Sequence, residues 1–464
     1  MDVSELSAVE LRDALRRREL SSEEITRHFL ERIADDRTNA FTLVTPEAAV
    51  ARAQELDAHE PEGVIHGMPL ADKDLHQRAG TVTTYGSRGF RGFVAQHSDP
   101  LTLQLDHAGA VSLGKTATPE FGFAGYTSSE LHGHTTIPGH PELGAGGSSG
   151  GAAAAVKARL LPFAPGSDAG GSVRIPAAAC GVVGLKPSRG RVPAMDGQGT
   201  LGQLAVAGTL ARSVADAALL FDALIERRDG QALHHTTLRC PELDDGSLLA
   251  ATHPGRRRRV GVLHGLTPWE GVAATPASTE ASAAMARAAT LLSDAGHAVE
   301  DVAGTALPGF AQAFQTLWYA NAAGLGLTDE QVAQLEPLTR SFVEAGRRVG
   351  APQIVDAVRT LHHHEQAIVD AFAPFDAVLT PTTALTPRPV GWFGDDPETN
   401  FRRQCEYSPH GAVVNVAGLP SLSLPTLSLA DGLSMSVQLI GRPGEESTLV
   451  QLGVELEGLA AVPV

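Results

Sequence analysis

Two glycine-rich segments contain the residue types that nucleophilic catalysis requires. The first places two serines between two pairs of glycines, in Gly146-Gly147-Ser148-Ser149-Gly150-Gly151. The second places a serine directly after two glycines, in Asp168-Ala169-Gly170-Gly171-Ser172. Because glycine has no Cβ, consecutive backbone N–H groups of the second segment can point to one side, which suits an oxyanion that develops beside the Ser172 hydroxyl. The second segment therefore favours Ser172 as a nucleophile.

A serine nucleophile also needs a base, because an alcohol is a weak nucleophile at neutral pH. A buried lysine can be that base when desolvation lowers its pKa. Lys73 is the best candidate, since it lies between Asp72 and Asp74 and follows a stretch, Gly67 to Ala71, that predicts a strand. Most lysines are solvated surface charges, so Lys73 is a candidate only in combination with the serine segments.

The first segment, taken alone, leaves three interpretations open. It resembles a phosphate-binding loop, but no lysine follows it at the spacing of such loops. It matches the G-x-S-x-G pattern of a nucleophile elbow around both Ser148 and Ser149, but that motif requires a preceding strand, and residues 140–145 predict a poor one. The third interpretation is a turn without any chemistry.

The composition argues against several classes of partner. The 36 basic and 53 acidic residues give a net charge of −17, which disfavours nucleic acid. No apolar stretch is long enough to span a membrane, and the first residues do not resemble a signal peptide. The 3 cysteines lie far apart and predict neither disulfides nor a zinc site. We therefore expect a cytoplasmic protein. The run His362-His363-His364 is interpreted as a solvated helix face that binds no metal.

Alternating strand and helix patterns predict how these segments are positioned. The alternation after residue 41 predicts a mixed or mostly parallel sheet that is covered by helices. We expect one large domain over residues 1–464, with N-terminal helices at 1–40 and the motif-bearing core at 60–220. A mainly helical insertion is expected at about 225–375, and strands at 376–464 are expected to rejoin the sheet. Ser21 to Glu24 predicts a capping box at the start of a helix.

Three motifs in this order resemble the amidase signature family. They are Gly67 to Asp74, Gly146 to Gly151 and Gly166 to Pro176. The spacing agrees as well, because 75 positions separate Lys73 from Ser148 and 24 separate Ser148 from Ser172. Later segments, including Val437 to Pro443, also resemble the family. The resemblance begins near residue 5, continues to the end of the chain and is weakest between 225 and 375.

The resemblance implies a single α/β domain with a mixed central sheet and helices on both faces. It also implies a catalytic triad in which Ser172 is acylated, Ser148 follows a cis peptide bond and transfers the proton, and Lys73 is the base. The implied oxyanion hole consists of the N–H groups of Ala169, Gly170, Gly171 and Ser172. Ser149, Asp168 and Arg174 are implied to support these loops. The resemblance implies no metal or organic cofactor. The expected partner is a small amide, and neither nucleic acid nor a membrane is expected as a partner. A homodimer is consistent with the resemblance.

The finer function stays open at this stage. The motif sequences are most similar to those of the branch that contains 6-aminohexanoate-cyclic-dimer hydrolase. Leu75, Ser167 and Ala169, however, differ from the residues that are common in the family, and they lie in loops that are implied to border the acyl pocket. One alternative is the A subunit of a tRNA-dependent amidotransferase, although no glutamine-pocket sequence is recognised downstream of Arg191. Another is an esterase that uses Ser148 with His297 or His410. Phe314, Trp318 and Tyr319 are expected either to line the acyl pocket or to pack in the core.

Overall fold

The structure is a computed structural model that describes residues 2–192, 201–225 and 247–463 without 254, 267, 275 and 305. Fifteen strands and fifteen α-helices lie in these residues. The strands are β1 (Phe41–Val44), β2 (Pro69–Lys73), β3 (Val111–Thr116), β4 (Ser128–Ser129), β5 (Gly133–His134), β6 (Thr136–Ile137), β7 (His140–Gly144), β8 (Phe163–Asp168), β9 (Val183–Lys186), β10 (Val206–Ala211), β11 (Arg259–Leu263), β12 (Ala298–Val302), β13 (Ala377–Pro381), β14 (Ser421–Ser428) and β15 (Ser434–Gly441). The helices are α1 (Ala8–Arg16), α2 (Ser22–Ala34), α3 (Pro46–Asp57), α4 (Pro100–His107), α5 (Gly150–Lys157), α6 (Arg174–Cys180), α7 (Val214–Ile225), α8 (Thr279–Asp294), α9 (Phe310–Ala323), α10 (Asp329–Ala333), α11 (Pro337–Gly346), α12 (Ala351–Phe372), α13 (Pro397–Tyr407), α14 (Gly411–Val416) and α15 (Glu446–Ala460).

The core of the fold is an eight-stranded sheet with the order β12-β11-β13-β15-β14-β9-β10-β8. Strand β11 is parallel to both of its neighbours, whereas the other pairs are antiparallel, so the sheet is mixed. A smaller sheet has the order β1-β3-β2, and its strand β2 packs beside β8. The mixed α/β fold that the sequence predicts is therefore confirmed.

Helices cover both faces of the large sheet because its central strands are apolar on both sides. In β13, Ala377 and Leu379 belong to the apolar cluster on one face, and Val378 belongs to the cluster on the other, as the two-residue period of a strand requires. Helices α7, α8 and α15 contribute to the first cluster. Helices α9, α11, α12 and α14 contribute to the second. Strand β8, at the edge of this sheet, leads directly into the second glycine-rich segment, so the sheet holds the start of that segment in place.

Local sequence signals agree with most of the observed elements. The Ser21 hydroxyl and the Glu24 carboxylate form the predicted capping box at the start of α2. The prediction for residues 140–145 is wrong: His140–Gly144 form β7, which pairs with β6 in a hairpin outside the central sheet. Gly139, at φ +86°, allows the tight turn between these two strands.

Some predictions fall partly or wholly outside the described residues. The expected insertion contains positions 226–246, among them Cys240, which lie outside the described residues. Cys180 and Cys405 are buried and free. The proposed boundaries within the domain remain predictions. Within the described ranges, no helix is both long enough and apolar enough to cross a membrane.

Candidate active site

Lys73 lies at the end of β2 and is fully buried. Its Nζ atom donates hydrogen bonds to Ser148 Oγ at 2.7 Å and to Ser167 Oγ at 2.9 Å. Burial lowers the pKa of Lys73 to about 7, although the charge of Asp168 acts in the opposite direction. An amine with this pKa is substantially neutral near pH 7, so Lys73 can accept a proton through either hydroxyl.

The first glycine-rich segment brings Ser148 and Ser149 into the site immediately before α5. The peptide bond between Gly147 and Ser148 is cis. A Cβ on Gly147 would lie 2.4 Å from the backbone of Tyr126, so only glycine fits at this close approach. The Ser149 N–H donates to the carbonyl oxygen of Ser172 at 3.1 Å, which ties the two glycine-rich segments to each other.

Ser172 lies in the loop between β8 and α6 and is 8% exposed. Its hydroxyl borders the same cavity as the Ser148 and Ser167 hydroxyls. Within the described residues, the Ser172 Oγ atom makes no hydrogen bond. The structure therefore joins Lys73 directly to Ser148, and places Ser172 at the same cavity without a direct Ser148–Ser172 hydrogen bond.

Four backbone N–H groups were expected to form the oxyanion hole, and they differ in their partners. The Gly171 N–H donates to Asp168 Oδ1 at 2.8 Å. The N–H groups of Ala169, Gly170 and Ser172 donate to no group in the described part of the chain. Three of the four N–H groups thus have no hydrogen-bond partner among the described residues, and the fourth holds the loop on Asp168.

Asp168 and Arg174 form a buried ion pair behind this loop. Arg174 Nη2 donates to Asp168 Oδ1 at 2.9 Å and Arg174 Nε to Oδ2 at 3.0 Å. The same carboxylate accepts the Val173 N–H at 3.1 Å. Burial alone would raise the pKa of Asp168, but Arg174 holds this pKa well below its usual range. The carboxylate is thus ionised and fixes the backbone on both sides of Ser172.

Three residues of this network were not predicted from the sequence. Ser167, which immediately precedes Asp168, supplies the second hydroxyl to Lys73. Asn415 accepts from Arg174 at 2.6 Å and donates to the Asp168 carbonyl at 2.8 Å. Gln438 accepts from Arg174 at 3.0 Å. Gln438 lies within a motif that resembles the family, which is a usable signal, whereas Asn415 has no comparable signal in the sequence.

Two cavities meet at Ser172. The larger has a volume of about 220 Å³ and the smaller about 60 Å³, and both are bordered by Gly122, Phe123, Ser172 and Trp318. Among the described residues, no aspartate, glutamate, lysine, arginine or histidine lines either cavity. Phe314 lines the smaller cavity, but Tyr319 lines neither and its ring instead contacts Phe342 with a centroid separation of 5.4 Å.

The two histidines that the esterase alternative requires form no hydrogen bond with Ser148 or Ser172 within the described residues. His297 Nε2 lies 2.9 Å from Glu455 Oε2, and His410 Nδ1 is a buried atom without a hydrogen-bond partner in that part of the chain. The three consecutive histidines have separate surroundings: His362 faces Glu365, His363 faces the Arg359 carbonyl and His364 faces the Pro308 carbonyl.

A buried lysine that donates to two serine hydroxyls, together with a further serine beside N–H groups that have no partner in the described residues, can carry out acyl transfer, which is the chemistry of serine hydrolases. The comparison with known families agrees with this class. Residues 24–450 match the family model described as Amidase, and the chain therefore belongs to the amidase signature family. Enzymes of this family hydrolyse carbon–nitrogen bonds of amides, and this chain is one of them.

Individual relatives show how wide the family is. The chain is 36% identical over 451 residues to AmiB2 of Mycobacterium tuberculosis, a protein named as an amidase, with 92% of this chain and 90% of the relative covered. It is 33% identical over 496 residues to the A subunit of glutamyl-tRNA(Gln) amidotransferase from Cereibacter sphaeroides, with 99% and 98% covered. Its fold is similar to that of 6-aminohexanoate cyclic dimer hydrolase complexed with substrate, at a TM-score of 0.86 and 26% identity, with 100% and 98% covered.

Proposed function

We propose that this protein hydrolyses the amide bond of a small, uncharged carboxamide or secondary amide through an acyl-enzyme on Ser172. The observation that carries the proposal is the 2.7 Å hydrogen bond between Lys73 Nζ and Ser148 Oγ at the cavity that Ser172 also borders. A buried lysine, a bridging hydroxyl and an uncommitted nucleophile in one cavity are the parts that base-assisted acyl transfer needs.

The reaction begins with neutral Lys73. Ser172 Oγ attacks the substrate carbonyl carbon, its proton moves to Ser148, and the Ser148 proton moves to Lys73. The carbonyl oxygen becomes an oxyanion that the N–H groups of Ala169, Gly170 and Ser172 stabilise. The same path in reverse protonates the amide nitrogen, and the C–N bond breaks to release the amine and leave an ester on Ser172. Water, deprotonated along the same path, then releases the carboxylic acid and restores Ser172.

The lining of the cavities supports hydrolysis of neutral amides over the amidotransferase alternative. Glutamine carries an ammonium and a carboxylate, and a buried charge needs a partner of opposite sign. The described residues around Ser172 supply no charged partner to either group. Residues 193–200, which follow Arg191, lie outside the described ranges. Relatives of both kinds, amidase and amidotransferase, are similar to this chain in sequence, and the uncharged lining supports the hydrolysis of a neutral amide.

The test is hydrolysis by the purified chain in the absence of any other protein. A panel of aliphatic, aryl, amino-acid and cyclic amides is compared with L-glutamine for wild type, Ser172→Ala and the control Ser341→Ala on α11. We expect turnover of neutral amides that exceeds turnover of glutamine, loss of turnover in Ser172→Ala, and retention in Ser341→Ala. Labelling by a fluorophosphonate should map to Ser172.

Two results would overturn the proposal. Near-normal hydrolysis by Ser172→Ala would exclude Ser172 as the nucleophile. Glutamine as the only amide that is turned over, or activity only when other proteins of an amidotransferase complex are added, would favour the amidotransferase hypothesis.

A further inference from the structure

The two cavities that meet at Ser172 differ in the catalytic groups that they expose. Ser148 and Ser167, the two hydroxyls that contact Lys73, line the larger cavity and not the smaller one. Gly170 and Ile175 line the smaller cavity and not the larger one. A substrate whose carbonyl carbon lies at Ser172 Oγ therefore places one of its two substituents beside the proton-carrying groups and the other away from them.

We infer that the leaving amine occupies the larger cavity and the acyl chain occupies the smaller one. This assignment rests on the proposed function, in which the proton that the amide nitrogen gains comes from Ser148. A group that donates a proton must lie within hydrogen-bond reach of the atom that receives it. Because Ser148 borders the larger cavity alone, the nitrogen and the group attached to it lie on that side. The favoured substrate class is thus an amide of a short acyl group with a bulky, uncharged, aromatic amine.

Packed aromatic rings form much of the wall of the smaller cavity. Its volume of about 60 Å³ is roughly a quarter of the 220 Å³ of the larger cavity. The ring centroids of Trp269 and Phe314 lie 5.4 Å apart, and those of Phe314 and Trp318 lie 5.3 Å apart. Trp269 Nε1 also donates to the Pro409 carbonyl at 3.0 Å, which fixes its ring. An acetyl or propionyl group fits this space, whereas a longer chain has to displace packed aromatic rings.

The larger cavity is suited to a flat apolar group. Tyr85 and Phe121 stack with an interplanar angle of 12°, and Phe90 meets Phe121 edge to face at 90°. Tyr85 and Phe90 are only half-buried in the absence of a substrate. An aromatic amine would cover these rings and gain the edge and face contacts that aromatic side chains favour.

The experiment uses two series of amides and two variants, each of which changes one cavity. The acyl series runs from acetyl to hexanoyl on 4-nitroaniline; the amine series keeps acetyl and runs from ammonia and methylamine to aniline and naphthylamine. Phe90→Ala enlarges the larger cavity, and Phe314→Leu enlarges the smaller one with less risk to folding than Phe314→Ala. Circular dichroism and a thermal melt establish that both variants are folded.

We expect wild-type kcat/KM to fall by at least about tenfold from acetyl to hexanoyl, since extra methylenes do not fit the smaller cavity. Phe314→Leu should reduce this fall and leave the ranking of amines unchanged. Phe90→Ala should leave the acyl ranking unchanged and reduce the preference for aromatic amines. The assignment is overturned if Phe90→Ala relaxes the acyl limit, if Phe314→Leu changes the amine ranking, or if wild type shows no acyl limit. In each of these cases hydrolysis still depends on Ser172, so only the assignment of the cavities fails. The proposed function itself fails if neither series of amides is hydrolysed or if Ser172→Ala keeps full activity.

Discussion

The regions behind and in front of Ser148 and Ser172 differ sharply in charge. Behind them lie charged residues that are at most 1% exposed, among them Asp72, Lys73, Asp168 and Arg174. In front of them, no charged residue among the described ones lines the two cavities at Ser172. In the proposed mechanism, buried charge holds the groups that carry out the reaction, and the substrate contacts an uncharged surface rich in aromatic rings. Buried charge is tolerated in this protein where it is paired and fixes a loop, as Asp168 and Arg174 do.

Within the charged region, Lys73 differs from Asp72 and Asp168. Asp168 is paired with Arg174, and Asp72 is paired with Arg78 at 2.8 Å. The Nζ atom of Lys73 instead donates to two hydroxyls, and no ion pair joins it to a carboxylate of the described residues. Burial without an ionic partner disfavours the charged form of an amine, which explains why its pKa is lowered to about 7.

The largest effect is expected from Lys73→Met, which removes the amine and keeps the apolar side chain. We expect kcat/KM to fall by about 10² to 10⁴-fold, the usual contribution of a positioned base. Steady-state hydrolysis of a neutral amide measures it. Lys186→Met is the matched control, because Lys186 is equally buried and its pKa is also lowered to about 7, but its Nζ donates to the Pro187 carbonyl and to no serine.

The same comparison tests the esterase alternative. If Lys186→Met is as inactive as Lys73→Met, buried charge in general, and not the contact with Ser148, sustains activity. If His297→Ala or His410→Ala abolishes hydrolysis while Lys73→Met retains it, a histidine is the base and the assignment of Lys73 is wrong.

The second prediction concerns the free energy of unfolding of the Arg174→Met variant. This change leaves the fully buried Asp168 without its ionic partner. We expect the free energy of unfolding to fall by about 3 to 5 kcal/mol, as for other buried pairs that lose one member. Chemical denaturation measures the change. The exposed pair of Arg347 and Asp329 is the control, and Arg347→Met should cost about 0 to 1 kcal/mol. If the free energy of unfolding falls equally in the two variants, the buried ion pair contributes no more to stability than the exposed pair does.

The third prediction concerns pH and depends on the protonation state of Lys73. Because neutral Lys73 accepts the proton, activity should be full above its pKa of about 7 and fall as the pH decreases below it. The fall approaches tenfold per pH unit, since each unit lowers the neutral fraction about tenfold. A pH profile of kcat/KM with an uncharged amide tests this. A profile that is flat from pH 8 to pH 5 would exclude Lys73 as the base.

The short motifs allowed the chemistry to be predicted from the sequence. The residues that surround the site could not be predicted in this way. Lys73, Ser148 and Ser172 were identified because each belongs to a short contiguous motif, and the family resemblance joined them across 75 and 24 positions. Phe90, Phe121 and Trp318 come from separate segments, and only long-range packing brings their rings to one cavity. The hydrogen bonds of Asn415 also span more than 200 positions, a distance at which local periodicity carries no information. The fold class followed from local alternation of strands and helices, but the order of the strands did not.

The smallest effect is expected at Asn415, which joins the charged region to the cavity wall. Its Nδ2 donates to the carbonyls of Asp168 at 2.8 Å and Leu204 at 3.0 Å, and Leu204 lines the larger cavity. Asn415→Ala should cost about 1 to 3 kcal/mol of stability, because it leaves buried groups unpaired. Asn400→Ala is the matched control, since Asn400 is similarly buried but donates to Tyr126 Oη and the Gly394 carbonyl. At a temperature where both variants are folded, kcat should fall further in Asn415→Ala, because only Asn415 contacts the backbone that precedes the oxyanion donors. An equal fall in kcat would mean that Asn415 stabilises the fold without positioning the catalytic loop.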